Sequence, residues 1–494
     1  MFLKAGVLSL GLLLASRLLG LLRETAQAAA FGTSGLADVA VLMLSLPDWL
    51  TGVAVSGALA YVLVPAWAGR TPGQVDHLQR RVAVALGFGG ALAATAGVIL
   101  CDPLARWLAG GLQGSMAQAA AEGLVWSAAA LPLALMAALW GTRLQHERDF
   151  LGLYASNLVV NLLMIGAIAF AGVSLGASAA TTAPGPAVFA LGGGLLVAMA
   201  ARLVWQAWRL PRKAGHDGSM PLAVPGPGPW AWAILSAGLP LALPFLARSL
   251  ASQQGQGALA TFSYAWKLVE LPLMLAIQLV ATLAFPAVAR AVTQGLDDAQ
   301  ARAPVRLAFF LAFSLACACA AGLMVGAGGL AQVLFGWGRM DPLDLERVAQ
   351  WGQVAALGLL PQAVAAVALT VLASQARLRP AALLYALALL TLAGAAMKGP
   401  ADGALLMAWL NAVFAFVAIG LLVALGPQAT RCLPWMAMAW PLGAMLLVAA
   451  AARAAGGTSG LPAATQLALA VVSGLGVLAF AWAGAGPMRQ ALRR

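Results

Sequence analysis

The sequence predicts an all-α polytopic membrane protein. About fourteen transmembrane helices are expected, as two six-helix lobes related by a pseudo-two-fold axis along the membrane normal, plus two C-terminal helices. Three observations predict this. First, 62% of the 494 residues are hydrophobic and 9% are charged, whereas soluble domains are roughly 45–50% apolar. Second, apolar runs of about 20 residues, enough to cross a ~30 Å hydrocarbon core, recur along the whole chain. Third, basic residues alternate between rich and poor loops, as the positive-inside rule requires.

Polar and Gly/Pro clusters delimit the spans. In order they are 8–31, 35–67, 82–100, 118–140, 151–171, 187–208, 230–250, 257–289, 306–327, 348–373, 380–397, 402–425, 433–452 and 462–484. The first resembles a secretory signal, with Lys4, an apolar run and then Ala28-Ala29-Ala30. Arg17, Arg23 and Glu24 fall between that run and the small residues, so it reads as a retained helix. The second and eighth are long. Their 33 residues approach ~50 Å at about 1.5 Å per residue. Each contains a proline, Pro47 or Pro272, which removes an i→i−4 hydrogen bond and marks an expected hinge.

Loop charge sets the orientation. Of 28 Lys and Arg, five (Arg106, Arg339, Arg347, Lys398 and Arg453) fall in alternate, outer loops. Four (Arg17, Arg23, Arg248 and Lys267) lie at or within spans, and the other 19, Arg202 among them, fall to inner segments. Both termini are therefore expected on the cytoplasmic side. The same distribution accounts for the net charge of +12 without nucleic acid as a partner. Trp67, Trp107, Trp205, Trp208, Trp230, Trp232, Trp337 and Trp435 fall near span ends and read as an interfacial belt. Cys101, Cys317, Cys319 and Cys432 have no metal-ligand spacing. Free thiols are expected, with no metal and no cofactor. Gly192-Gly193-Gly194 lies in an apolar helix with no strand before it and no following Lys-Ser/Thr, so it reads as close packing.

An internal repeat links the halves. Val64-Pro65-Ala66 ends the second span as Phe285-Pro286-Ala287 ends the eighth. Leu131-Pro132 opens a helix running to Gln145 and Arg148, much as Leu360-Pro361 opens one running to Gln375 and Arg377. An offset of six spans keeps the orientation, and transporters with such repeats bind substrate at the repeat interface. The expected lobes are 1–213 and 230–427, joined by a linker at 214–229; residues 428–494 hold the last two spans and a cytoplasmic tail.

Charges inside spans carry the functional reading. A charge at the bilayer centre costs roughly 2.5–3.5 kcal/mol on insertion scales, so such residues face a bundle interior or a water-filled cavity. Arg17 and Glu24, seven apart in span one, share a helical stripe, and Arg23 projects about 120° away. Asp38 and Asp48 lie in span two. Lys267 and Glu270 in span eight are three apart and within reach of each other. Arg17, Arg23 and Lys267 are the candidate substrate-binding residues; Glu24, Asp38, Asp48 and Glu270 are candidate cavity or coupling groups. The basic groups suit an anion, with phosphate the natural partner of arginine. Ion pairing that merely locks helices is the structural alternative.

The run Ser16-Arg17-x-x-Gly20-x-x-Arg23-Glu24, then Phe31-Gly32-x-x-Gly35-x-x-Asp38, resembles the N-terminus of the MurJ/MviN lipid II flippases of the multidrug/oligosaccharidyl-lipid/polysaccharide exporter superfamily. Leu46-Pro47, Gly57-Ala58 and Val64-Pro65 continue the pattern, and Tyr264-Ala265-x-Lys267-Leu268-x-Glu270-x-Pro272 resembles the family's span-eight motif. The resemblance implies a non-enzymatic flippase in the bacterial inner membrane. It would carry a polyprenyl-diphosphate-linked saccharide, lipid II above all, to the outer leaflet by alternating access, with the bilayer as its other partner. A monomer is expected. It implies that Arg17 and Arg23 hold the diphosphate, with Lys267 where the family has Arg. The chain departs from the family after Pro47. Asp48-Trp49-Leu50 stands where Asn and a pair of arginines are usual, and Ser56-Gly57-Ala58 where Glu-Gly-Ala is usual. Trp266 replaces an Asp. The cavity is thus less basic than the family's. Other readings are a soluble drug or cation exporter using Asp38, Asp48 and Glu270, a flippase for another lipid-linked glycan, a membrane-embedded glycosyltransferase, or a non-transporting scaffold.

Overall fold

A computed structural model describes residues 2–54, 58–174, 184–210, 224–274, 279–294, 299–375, 377–396 and 402–486. Most of the expected linker, its residues 214–223, lies outside them, as do Ser56-Gly57 and the tail from 487. The described residues form nineteen helices: α1 Phe2–Phe31, α2 Gly35–Val53, α3 Leu59–Trp67, α4 Pro72–Ile99, α5 Cys101–Leu108, α6 Ser115–His146, α7 Phe150–Ser174, α8 Gly185–Arg209, α9 Pro227–Ser252, α10 Ala258–Pro272, α11 Leu279–Gln294, α12 Ala299–Phe335, α13 Pro342–Ala356, α14 Leu359–Ser374, α15 Arg379–Ala396, α16 Gly403–Leu425, α17 Pro427–Cys432, α18 Trp435–Ala454 and α19 Ala463–Gly484. No strand occurs among them. In hydrocarbon each backbone polar group must be satisfied within its own segment, and the α-helix does this.

Ten of these helices are long and apolar enough to cross a membrane, and α13 with α14, bent by 46°, makes an eleventh. The expected fourteen is not reached on length and composition alone. The helix α1 carries Lys4, Arg17, Arg23 and Glu24, and α15 is short. In the second and eighth expected spans, residues 55–57 between α2 and α3 and 275–278 between α10 and α11 lie outside the described residues. Large apolar side chains point outward, including Val84, Phe88 and Leu92 on α4 and Val471, Val472 and Leu475 on α19. That surface suits lipid contact.

The chain packs as two compact units, 1–260 with 338–340, and 261–337 with 341–494. In the first, α6 is the hub, touching α2, α3, α4, α5, α7 and α8; α1 lies on α7, and α9 packs on α2, α3 and α5. Pro47 sits buried inside α2. Having no N–H, it leaves the Met43 carbonyl without its helical donor. Ser127 Oγ on α6 donates to that carbonyl at 2.6 Å. The triple glycine of α8 is a packing surface. Gly192 faces the Trp126 ring and Gly194 faces Ala167, so neither has room for a Cβ. Trp67, expected at the interface, is instead buried to 1% exposure, with the Arg143 guanidinium 5.8 Å from its ring centroid. Arg143 needs that shelter and has two carboxylates beside it. It pairs with Asp76 at 3.1 Å and Glu147 at 2.8 Å.

Outside the spans, Asp149 ties the start of α7 to the end of α8. It accepts from Arg209 Nε and Nη2 at 2.8 Å each and from the Gly152 N–H at 3.0 Å. Burial pushes its carboxyl up, but the Arg209 and Gly152 hydrogen bonds outweigh this and hold it below the ordinary carboxylate range. A depressed folded-state pKa gives stability that is present above the unfolded value and lost as pH falls through the folded one.

In the second unit α12 is the hub, against α11, α13, α14, α18 and α19. Gly322 and Gly326, four apart, face the Ala470 region of α19; a Cβ on Gly326 would lie 2.5 Å from that of Ala470. Such small-xxx-small seams let backbones approach closely where lipid supplies no hydrophobic drive. Gln466 closes the seam, accepting from the Gly329 N–H at 2.7 Å and donating to the Leu461 carbonyl at 3.0 Å.

Gly326→Leu is expected to destabilise the second unit by about 1–3 kcal/mol through overpacking, read as a lowered unfolding midpoint in detergent, while Gly443→Leu, where no atom lies within 4 Å of a Cβ, leaves it unchanged. Asp149→Asn is expected to lower the midpoint at neutral pH. The difference from wild type should close only as pH drops below the ordinary carboxylate range, where wild type loses the same tie.

Candidate functional site

The first unit holds a buried cluster of charge where α1, α2 and α8 meet. Arg23 and Glu24 on α1 are each 8% exposed. One nitrogen of Arg23, Nη2, is shared between Glu24 Oε1 and Asp48 Oδ2, at 3.1 Å each. Its Nε finds no hydrogen-bond partner among the described residues. Asp48 lies on α2 one residue after Pro47, with 48% of its side chain exposed. Beside it Trp49 packs on Phe245 of α9, ring centroids 6.1 Å apart. One turn before it, Ser45 Oγ accepts from Arg248 Nη1 at 2.6 Å.

Arg17 lies on another face of α1. It is exposed, and its charge reaches the Tyr154 phenol on α7. There α1 approaches α7 closely, with Gly20 against Asn161. The 120° divergence expected of Arg17 and Arg23 is thus realised as two settings, one open and one buried.

Arg202 was not legible as a site residue. Loop charge assigned it to an inner segment, yet it lies within α8 at 4% exposure. Its Nε has no hydrogen-bond partner among the described residues, and the charge acting on it is the carboxylate of Asp48. The signal that could have found it is position. Arg202 precedes the helix end by seven residues, about 10 Å at 1.5 Å per residue.

Asp38 is placed differently. It is 1% exposed, and its oxygens accept the Gly257 N–H at 2.6 Å and the Ala260 N–H at 2.7 Å. Gly257 has φ +87° and its Cβ position is filled by the Thr33 carbonyl, so only glycine fits. In this arrangement Asp38 satisfies backbone donors where α10 begins, one of the groups that a helix start leaves unpaired.

In the second unit Lys267 and Glu270 form an ion pair at 2.9 Å, with side chains 23% and 28% exposed. Beside them Trp266 stacks on Phe414, centroids 6.1 Å apart, and Tyr264 on Phe335 at 4.9 Å. Pro272 is the last residue of α10, and the segment 275–278 that follows lies outside the described residues.

A bundle of apolar helices with buried guanidinium groups beside an exposed carboxylate defines a polytopic membrane protein. Solved structures share that fold. One titled lipid II flippase MurJ, inward closed conformation, aligns over 99% of this chain and 100% of its own at 13% identity and a TM-score of 0.75. A multidrug resistance MATE family transporter of the MOP superfamily, inward-facing, aligns over 84% of this chain and 94% of its own at 16% identity and a TM-score of 0.64. An outward-facing structure of that description aligns over 87% and 95% at 15% identity and a TM-score of 0.56. No curated protein matches the chain by sequence. The sequence pattern of the family described as Lipid II flippase MurJ matches residues 27–479. The chain belongs to the MurJ lipid II flippase family.

Asp38→Ala leaves two buried N–H groups without an acceptor, which costs about 1–3 kcal/mol for each. It is expected to lower the unfolding midpoint of the purified protein markedly, and Asp38→Asn, which keeps a carbonyl acceptor, to lower it less.

Proposed function

We propose that the chain is a flippase that moves a polyprenyl-diphosphate-linked saccharide, lipid II in the first instance, from the inner to the outer leaflet by alternating access. Arg23 carries the reading. A guanidinium buried in an apolar helix and only partly satisfied is built to receive an anion, and the family's cargo presents a diphosphate. A planar guanidinium matches phosphate geometry with two parallel donors. Arg17, exposed on the same helix, adds charge for that head group, and Lys267 is a further anion-binding candidate on the second unit. Lys267 contributes a compact ammonium without the guanidinium fork.

The bilayer is the second partner, and the bacterial inner membrane is the expected location. The loop-charge asymmetry supports cytoplasmic N- and C-termini. The proposed role is transport, with no covalent step. Pro47 lies inside α2 and Pro272 at the end of α10, and the backbone hydrogen bond that each proline removes suits them as hinges. Export of a soluble cation is less well supported. Asp48 pairs with Arg23 and Glu270 with Lys267, and Asp38 is taken up by backbone donors.

In proteoliposomes with fluorescent lipid II, Arg17→Ala and Arg23→Ala are each expected to slow leaflet translocation at least tenfold, with membrane insertion intact. Undiminished transport by both variants would overturn the assignment. The wild-type chain should also sustain growth of a bacterium depleted of its own lipid II flippase.

A further inference from the structure

We infer that Asp48 is a built-in stand-in for the substrate's diphosphate. It holds the site in the first unit closed on itself by neutralising Arg23 and Arg202, and Arg202 is a third arginine for the same anion. This rests on the diphosphate reading above and goes further by naming a residue that competes with the cargo and one that binds it.

The cluster is asymmetric. Both arginines are buried, at 8% and 4% exposure, whereas the Asp48 side chain is 48% exposed. Each guanidinium has an Nε without a hydrogen-bond partner among the described residues. Buried cations need compensation, because removing the partner of a buried pair leaves an uncompensated charge. Glu24, also buried, stays against Arg23 at 3.1 Å from the next position of the same helix. Asp48 is the member that faces open space and comes from another helix. It is therefore the carboxylate that an incoming anion can displace without unpacking the core.

Formal charge agrees. Arg23 and Arg202 balance Glu24 and Asp48, so the resting cluster is neutral. Displacing Asp48 leaves one net positive charge in a low-dielectric setting, with Arg17 nearby on α1. Two guanidinium groups then offer donors to adjacent phosphates, which a single phosphate cannot fully engage. Arg143 shows the contrast. That buried arginine is paired with Asp76 on α4 at 3.1 Å and with Glu147, just past the end of its own helix, at 2.8 Å, with side chains 25% and 36% exposed, both less open than Asp48.

The test uses the full chain in detergent, with farnesyl diphosphate as the probe and inorganic diphosphate and farnesyl monophosphate as comparison arms. Binding is read by calorimetry. Asp48→Asn, at an exposed position, is expected to bind farnesyl diphosphate roughly tenfold more tightly than wild type, the least that close charge pairs couple. Asp48→Glu should stay near wild type. The gain should shrink at least threefold in the Arg202→Gln background and survive in part with Arg202→Lys, which keeps the charge if the glutamine variant does not fold. Equal affinity of wild type and Asp48→Asn, or a gain indifferent to Arg202→Gln, overturns the inference and leaves the diphosphate reading standing. If neither wild type nor Asp48→Asn binds farnesyl diphosphate, both fall. A gain confined to inorganic diphosphate overturns the assignment to a lipid head group.

Discussion

A guanidinium cannot sit alone in hydrocarbon, and the first unit is organised by that constraint. Each buried arginine draws other elements toward it. Arg143 gathers carboxylates from α4 and from the end of α6, and settles beside Trp67. Arg23 draws α2 to α1 through Asp48. The Asp48 carboxylate also acts electrostatically on Arg202. Arg143 has two carboxylates and belongs to the scaffold. Arg23, held by Glu24 as well, and Arg202 share the half-exposed Asp48.

A parallel constraint acts on the backbone. With no water in the bilayer core, a carbonyl freed by proline must find a donor from a neighbour. Ser127 performs this for Met43, one turn before Pro47. Proline in α2 is thereby compatible with a firmly held upper half, Gly35 to Ser45, almost all of it buried. Asp48 follows directly after that proline. Asp38 fixes the other end of α2 by accepting two backbone donors. Glycine supplies the remaining freedom. The seams Gly192–Trp126, Gly194–Ala167 and Gly326–Ala470 allow helices to pack at backbone distance.

Much of the site was legible. Charges in an apolar chain are rare, so Arg17, Arg23, Glu24, Asp38, Asp48, Lys267 and Glu270 identified themselves. Local spacing also carried the Lys267–Glu270 contact, because three residues on a helix bring side chains together. What failed was partnership across elements. Periodicity put Arg23 on a face of its own, and its partners Glu24 and Asp48 came from the next residue and from α2. Arg202 was hidden by its nearness to a helix end, and Trp67 by its nearness to a loop.

By itself the sequence determined that this chain is helical, that it spans a membrane many times, and most of the charged residues that lie within its apolar helices. Composition and periodicity are properties of single segments, and the bilayer acts on segments one at a time. Only the tertiary structure decided which arginines are shared, which are sealed and which carboxylate stands in the open. Those are properties of pairs of helices. They depend on depth, rotation and close approach at glycine seams, and residue spacing along one helix carries none of that information.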